Sequence, residues 1–259
     1  MSDYVQVAER IAREAGSLLR EGYGQALRIE YKAATDLVTQ YDRRSEELIL
    51  RALRGAFPGH ASHAEESGRA SGSEFEWLVD PLDGTTNFAH AYPMFAVSLA
   101  LTQHGRLIAG VVYDPLRDEL FAAEAGAGAT LNGRRLSVSA TADLGRALLN
   151  TGFPYDVRSN PRNNVREFTA FLMRAQAVRR AGSAALDCAY VGAGRADGYW
   201  EFWSKPWDLG AGALVAREAG GRATTIDGAD DFLGKPSAVV SNGLIHDEML
   251  SVLRGAQEG

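Results

Sequence analysis

An α/β fold built from two unlike halves follows from the order of apolar patterns along these 259 residues. Three observations predict it. Helical apolar spacing opens the chain, short strands punctuated by turn signals fill its middle, and beyond Ala140 short strands alternate with helices. A content of 46% hydrophobic and 23% charged residues describes an ordinary folded chain with enough apolar surface for a substantial core. No internal repeat or long linker interrupts it. Residues 1–259 are therefore expected to form one compact unit, with an α+β half at 1–140 and an α/β half at 141–259.

In chain order, Val7, Ile11, Leu18 and Leu19 recur at helical spacing, and Gly22 and Gly24 end the pattern. Leu27–Tyr31 alternates as a strand, Ala33–Gln40 is polar and irregular, and Leu48, Leu50 and Leu53 mark a second helix ending near Pro58-Gly59. The small polar residues of Ser67–Ser73 predict a flexible loop. Phe75–Val79 is an apolar run that enters Asp80 and Pro81 directly. Strands are expected at Phe95–Thr102, Leu107–Tyr113 and Glu119–Ala123, divided by His104-Gly105 and Asp114-Pro115, before a small-residue hairpin at Gly126–Gly133. In the second half, Ala147–Thr151, Ala177–Arg179, Gly198–Phe202 and Ala238–Ser241 read as strands. Phe168–Arg174, Ala184–Gly192, Trp207–Ala219 and Asp247–Leu253 read as helices.

Composition removes several functions. With 33 acids against 27 bases, the net charge of −6 argues against a general grip on nucleic-acid phosphates. The single cysteine, Cys188, excludes an internal disulfide and fits a reducing cytoplasm. Met1–Gly16 carries Asp3, Glu9 and Glu14 where a leader would be basic and then apolar. The most apolar stretch, Met94–Leu101, is too short to cross a bilayer. A cytoplasmic protein without a membrane partner is expected. Neither G-x-S-x-G nor G-x-G-x-x-G occurs, and Gly228–Lys235 misses the P-loop spacing and has Pro236 where that motif needs Ser or Thr. The histidines His60, His63, His90, His104 and His246 show no H-E-x-x-H pairing. Any metal should therefore be a hard cation held by carboxylates.

The chemistry concentrates in Trp77–Asn87, WLVDPLDGTTN. An apolar strand runs into Asp80, Pro81 stiffens the turn, and Asp83 follows three residues later, near enough for both carboxylates to face one point. Gly84-Thr85-Thr86 resembles a helix start whose free N–H groups can cradle phosphate, with Asp83 as the N-cap. Two carboxylates for metal beside such a cradle suit metal-assisted phosphoryl transfer. The plainer alternative is an Asp-capped strand–turn–helix junction with an Asx turn. Three further acidic segments have plain readings of their own. Ala64-Glu65-Glu66-Ser67 can be a solvated turn, Asp208 in Lys205–Gly210 can stabilise a helix start, and Asp36 or Asp42 can cap the helix that follows.

Taken together, DLVTxxD, AEES, WLVDPLDGTTNF and KPWDLGAG resemble the inositol monophosphatases in order and approximate spacing, from Ala8 to Leu253. The resemblance implies a layered α/β/α/β/α sandwich of the sugar phosphatase type and a magnesium-dependent phosphomonoesterase, commonly a lithium-sensitive homodimer. It implies Glu65, Asp80, Asp83 and Asp208 as side-chain metal ligands, with the Leu82 carbonyl beside them. It makes Glu65 and Thr85 the residues that orient the attacking water, with Asp42 accepting the Thr85 hydrogen bond, and it places Asp208 among the substrate contacts as well. The N–H groups of Gly84 and Thr85 would hold phosphate, and Gly182, Ser183, Ala184 and Glu201 would meet ring hydroxyls. Lys32 is the candidate for the family's loop lysine, although its spacing to Asp36 is one residue short.

Four carboxylates and a phosphate dianion sum to about −6, which calls for two or three divalent cations, taken as Mg2+. The Gly182–Glu201 stretch resembles the branch that hydrolyses inositol monophosphate. Fructose-1,6-bisphosphatase or dual-specificity activity is the alternative, with Arg158, Arg162, Arg166, Arg179 and Arg180 available to a second phosphate. An added role in a transcription complex would need a basic face, and Arg43-Arg44, Arg134-Arg135 and Arg179-Arg180 are the only basic doublets. That role, like nucleic-acid binding, is disfavoured by the sequence.

Overall fold

The structure is a computed structural model that describes residues 1–33 and 35–258, with side chains to residue 256. Of the stretch Ala33–Gln40, Ala34 lies outside the described residues. The first half runs α1 (Asp3–Gly22), β1 (Ile29–Tyr31), β2 (Leu37–Thr39), α2 (Gln40–Ala56), β3 (Ala61–Ala64), β4 (Gly68–Ala70), β5 (Phe75–Asp83) and α3 (Thr85–Ala89). It continues through β6 (Ala96–Gln103), β7 (Arg106–Asp114), β8 (Glu119–Glu124), β9 (Gly128–Leu131) and β10 (Arg134–Arg135). The second half runs β11 (Leu148–Thr151), α4 (Val165–Leu172), β12 (Ala177–Arg179), α5 (Ala184–Gly192), β13 (Gly198–Phe202), α6 (Pro206–Glu218), β14 (Arg222–Thr224), β15 (Ser237–Ser241) and α7 (His246–Glu258).

Strands β3 to β10 form one sheet in the order β10-β9-β8-β7-β6-β5-β3-β4, and β11 to β15 form a second in the order β12-β11-β13-β15-β14. α1 and α2 cover one face of the larger sheet. α5 and α6 lie between the sheets, and α4 and α7 cover the far face of the smaller one. This is the α/β/α/β/α layering expected of the family resemblance. The alternation of side chains along each strand feeds the layers on either side. In β5, Trp77 and Val79 join the cluster under α1 and α2, while Leu78 joins the one facing α5 and α6. In β13, Trp200 faces α4 and α7, and Tyr199 faces α5 and α6. β6 is buried on both faces for this reason, and its sequence reads as a near-continuous apolar run. α1, on the outside, buries one stripe, with Val5, Ala8, Ile11, Ala12, Ala15 and Leu19 as its apolar side chains and Gly16 and Gly22 beside them.

Most expected elements form within a few residues of their predicted ends. Four differences bear on the site. β2 occupies the second half of the stretch expected to be irregular, where three residues are too few for a pattern and pairing with β1 decides. Ser67–Ser73, expected as a flexible loop, contains β4, which forms because β3 offers it a partner. β3 itself and β14 carried no periodic signal and were missed. β5 runs through Asp80 and Pro81 to Asp83 instead of stopping at Val79. Its pairing shifts from Asp80 opposite Ser98 to Asp83 opposite Ala96, so an irregularity absorbs Pro81, which has no N–H to donate. Among the described residues no helix is long and apolar enough to cross a membrane.

The middle layer is set by close backbone approach. A Cβ added at Gly212 in α6 would lie 2.6 Å from the Ala185 carbonyl oxygen and 2.6 Å from the Cys188 Cβ in α5. Gly212→Val is expected to cost at least about 1–3 kcal/mol through overpacking, read as a lower urea midpoint. An unchanged midpoint would show that the two helices can part freely.

Candidate active site

The passage from β5 into α3 builds the centre of the site. Asp80 Oδ1 accepts the Leu82 N–H at 3.0 Å, the Asx turn that the plain reading expected. Gly84, not Asp83, is the residue that precedes α3. Its φ of 96° is left-handed, and a Cβ there would lie 2.9 Å from the Met94 carbonyl oxygen and 3.1 Å from that of Gly182. Asp83 was expected to cap this helix but is still part of the strand, and it serves another helix. Its carboxylate accepts the Ser183 hydroxyl at 2.5 Å, the Ala185 N–H at 2.8 Å and the Ala184 N–H at 3.3 Å, at the start of α5.

The other acids are also tethered. Thr85 Oγ1 lies 2.8 Å from Asp42 Oδ1 and 3.0 Å from the Leu82 carbonyl oxygen, so its single proton is shared between two acceptors. The second Asp42 oxygen accepts the Thr39 N–H at 2.8 Å and the Thr39 hydroxyl at 2.6 Å, which caps α2. The helix-capping reading of Asp42 and its contact with Thr85 thus hold together. Asp208, third in α6, accepts the Lys205 N–H at 2.7 Å. Glu65 meets the Lys32 ammonium at 3.0 Å, and the same ammonium pairs with Glu66. Glu201 accepts the Tyr199 hydroxyl, and a Cβ at Gly152 would collide with its carboxylate.

One cavity of about 290 Å³ gathers Glu65, Asp80, Leu82, Asp83, Gly84, Thr85, Gly182, Ser183, Ala184, Glu201 and Asp208. Asp42 sits behind Thr85, fully buried. Lys32 lines the cavity despite its shortened spacing, as does Arg180; Arg158, Arg162, Arg166 and Arg179 do not line it. Sequence reasoning missed the wall made by Thr151, Gly152, Phe153 and Tyr155, and it missed Asp187. Loop residues between β11 and α4 carry no periodicity, so only the neighbouring Gly and Pro hinted at a turn there.

Burial pushes the Asp80 carboxyl well above the usual range, and Glu65, Asp83 and Asp208 push it further. Asp208 is raised by burial and by Glu65, Asp83 and Glu201. Burial raises Glu65 to about 7 against the opposing pull of Lys32. It raises Asp83 to about 6 against its donors, and Asp42 to about 6 against Thr39 and Thr85. Burial alone would lower Lys32, but Glu65 and Glu66 outweigh it and hold the ammonium charged.

Among the described residues, no three Asp, Glu, His or Cys side chains are already gathered closely enough to hold a metal ion. Each carboxylate turns toward its own protein donor, as like charges do when separate partners are on offer. The donor chemistry nevertheless fits a hard divalent cation. Four carboxylates and a carbonyl share a cavity, Asp80 has a single protein donor, and only Glu65 of the four is paired with a cationic side chain.

Two stacked sheets, with an acidic cavity at the ends of the interior strands β5, β11 and β13 beside a Gly-Thr-Thr helix start, form the layered fold of the sugar phosphatase type. The inositol monophosphatase family model matches residues 1–258, and the chain belongs to that family of metal-dependent phosphatases. It is 43% identical over 262 residues to the Nus factor SuhB of Pseudomonas aeruginosa, covering 98% of this chain and 97% of that one. It is 42% identical over 257 residues to the inositol-1-monophosphatase of Mesorhizobium japonicum, with the same coverage. The solved inositol monophosphatase of Anabaena (Nostoc) superposes with a TM-score of 0.89 at 42% identity, covering 97% of this chain and 95% of that one. The extragenic suppressor protein SuhB of Bartonella henselae superposes with a TM-score of 0.93 at 40% identity, covering 98% and 99%.

The raised carboxyls have a consequence for stability. Unfolded, Asp42, Asp83 and Glu65 lose their protons near pH 4; folded, they keep them to about 6, 6 and 7. Between those limits these three groups hold more protons in the folded chain, and together they outweigh His246, whose pKa burial lowers to about 4 and which works in the opposite sense, so stability falls as pH rises. In EDTA, the thermal midpoint is expected to drop by at least about 3 °C from about pH 5 to about pH 7.5, the shift that ~1 kcal/mol produces in a chain of this size. Added magnesium should restore it at the higher pH. A midpoint that climbs over this interval would contradict the electrostatics.

Proposed function

We propose that this chain hydrolyses inositol 1-phosphate to inositol and phosphate with magnesium as cofactor. One observation carries the reading: Glu65, Asp80, Asp83 and Asp208 share a cavity with Thr85, whose hydroxyl is hydrogen-bonded to the buried Asp42. Glu65, Asp80, the Leu82 carbonyl, Asp83 and Asp208 would hold two or three Mg2+. When bound, the cations supply charge neutralisation of the phosphate and lower the pKa of water.

The chain's own residues do the positioning. The Gly84 and Thr85 N–H groups, at the entry to α3, hold phosphate oxygens. With the Leu82 carbonyl engaged by a cation, the Thr85 proton would be left to Asp42, and the Thr85 oxygen would be free to accept from an attacking water. Above its raised pKa of about 6, Asp42 is ionised and accepts that proton well. Glu65 orients the same water from the opposite side, so that it approaches phosphorus in line with the ester bond. Glu201, Ser183 and the backbone of Gly182 and Ala184 meet the ring hydroxyls and set the alcohol's orientation. The family resemblance supports a homodimer, lithium inhibition, a cytoplasmic location and a single folding unit over 1–259.

Two other readings have an observation behind them. Arg180 lines the cavity beside Gly182, which favours fructose 1,6-bisphosphate or dual specificity if that arginine takes a second phosphate. The Pseudomonas relative carries the name Nus factor, which favours an added role in a transcription complex. The doublets Arg43-Arg44, Arg134-Arg135 and Arg179-Arg180 are all exposed, although Arg43 is paired with Glu30. Co-purification of RNA polymerase subunits with the tagged chain tests the added role, and an empty capture rejects it.

Phosphate release from inositol 1-phosphate, fructose 1,6-bisphosphate, 3′-phosphoadenosine phosphate and histidinol phosphate tests the main reading. Inositol 1-phosphate should have the highest kcat/KM, with loss of activity in EDTA and inhibition by lithium. Activity persisting in EDTA rejects the metal role, and preference for the bisphosphate moves the substrate. Thr85→Ala should lower kcat by about 10²- to 10⁴-fold with KM little changed, as for a lost proton-handling group. Asp83→Asn should abolish turnover; activity within about tenfold of wild type at saturating magnesium would reject Asp83 as a ligand.

A further inference from the structure

α2 carries a buried polar stripe that the mechanism above uses only in part. Asp42, Ser45 and Glu46 are spaced i, i+3 and i+4, so they share one face of the helix, and they are 0%, 0% and 4% exposed. Each reaches a different piece of the site. Asp42 accepts from Thr85 at the start of α3. Ser45 Oγ donates to the Pro81 carbonyl at 2.9 Å, inside the turn between Asp80 and Leu82. The two oxygens of Glu46 accept the Glu66 N–H at 2.7 Å and the Ser67 N–H at 2.9 Å, in the turn that follows Glu65. One helical turn further along the same face, Ile49, Leu50 and Leu53 enter the apolar core.

Glu46 is the informative member. A buried carboxylate costs stability unless its hydrogen bonds are satisfied, and an apolar residue is often the better choice where packing alone is needed. Among the described residues Glu46 makes no ion pair, and its two donors are consecutive backbone N–H groups. A bidentate clamp of that kind fixes both the position and the rotation of a turn. The turn presents Glu65 to the cavity, and Glu66 beside it pairs with Lys32 from the segment between β1 and β2.

We infer that Glu46 is a positioning residue for metal binding: by clamping the Glu65–Ser67 turn to α2, it sets Glu65 against Asp80 and Asp83. Ser45 performs the matching task on the Asp80–Leu82 turn. The inference rests on the metal-dependent reading of the site. α2 thereby fixes three separate turns, at Glu66–Ser67, at Pro81 and at Thr85, that must agree in position before a cation can be shared.

The test compares Glu46→Gln with Leu53→Ala, a core truncation on the same helix face. Three properties are measured: thermal unfolding in EDTA, magnesium affinity by calorimetry without substrate, and kcat and KM for inositol 1-phosphate. Glu46→Gln keeps one acceptor and turns an amide toward the other N–H. It should weaken magnesium affinity by about tenfold or more, with KM for the ester changing far less. Leu53→Ala should lower the unfolding midpoint while its magnesium affinity stays near wild type. Glu46→Asp, which keeps the charge but falls a methylene short, should also weaken magnesium binding. Wild-type magnesium affinity in a folded Glu46→Gln overturns the inference, as does an equal loss of affinity in Leu53→Ala. If neither Glu46 variant folds while Leu53→Ala does, Glu46 is a folding residue and the positioning role is rejected. Failure of the wild type itself to bind magnesium would instead reject the functional reading on which this one rests.

Discussion

Asp80 is almost fully buried, and Glu65, Asp83 and Asp208 all raise its pKa further. A cavity with so much like charge is stable only if each carboxylate is fixed by something else. The surrounding elements supply those partners: Leu82 N–H for Asp80, the start of α5 for Asp83, the first turn of α6 for Asp208 and the Lys32 ammonium for Glu65. Helix starts recur in this role because their free N–H groups and positive dipole ends favour a negative partner without spending a cationic side chain. The arrangement keeps the acids apart from one another and near the point at which a cation could offset them.

The layers explain how such distant residues meet. α5 and α6 are held between two sheets, and both of their N-terminal ends reach the acidic cavity. Glycine permits the approach at the points of closest contact. Gly212 lets α6 press against α5, and Gly84 lets the strand end turn sharply beneath the Gly182 carbonyl. α2 reaches the site from the opposite side of the larger sheet with a polar face at its first turns and an apolar face beyond them. The same helix is therefore part of the core and part of the site's support.

Legibility followed signal type. Long or doubly buried elements such as α1, β6 and α5 could be read because their apolar spacing repeats enough times to stand out. β2, β3 and β4 could not, since each is four residues or shorter and depends on a strand partner from elsewhere in the chain. The acidic motifs were visible as residue types at characteristic spacing, and the residues they pointed to line one cavity with Asp42 just behind it. The partners of those acids were less visible. Asp83 was expected at the start of α3, yet its donors are a hundred residues away, at Ser183, Ala184 and Ala185. Glu46 drew no notice, because a glutamate in an amphipathic helix ordinarily faces water.

By itself, then, the sequence determined which chemical groups are present, the order of most helices and strands, and the family that combines them. Those properties depend on side-chain type and on periodicities that operate over a few residues. The tertiary structure alone decided that the start of α5 holds Asp83 and that Lys32 meets Glu65, that Phe153 and Tyr155 help wall the cavity, and that a buried glutamate clamps the turn beside Glu65. The paired residues are twenty to about a hundred positions apart, brought together by how sheets and helices stack, and local spacing carries no record of them.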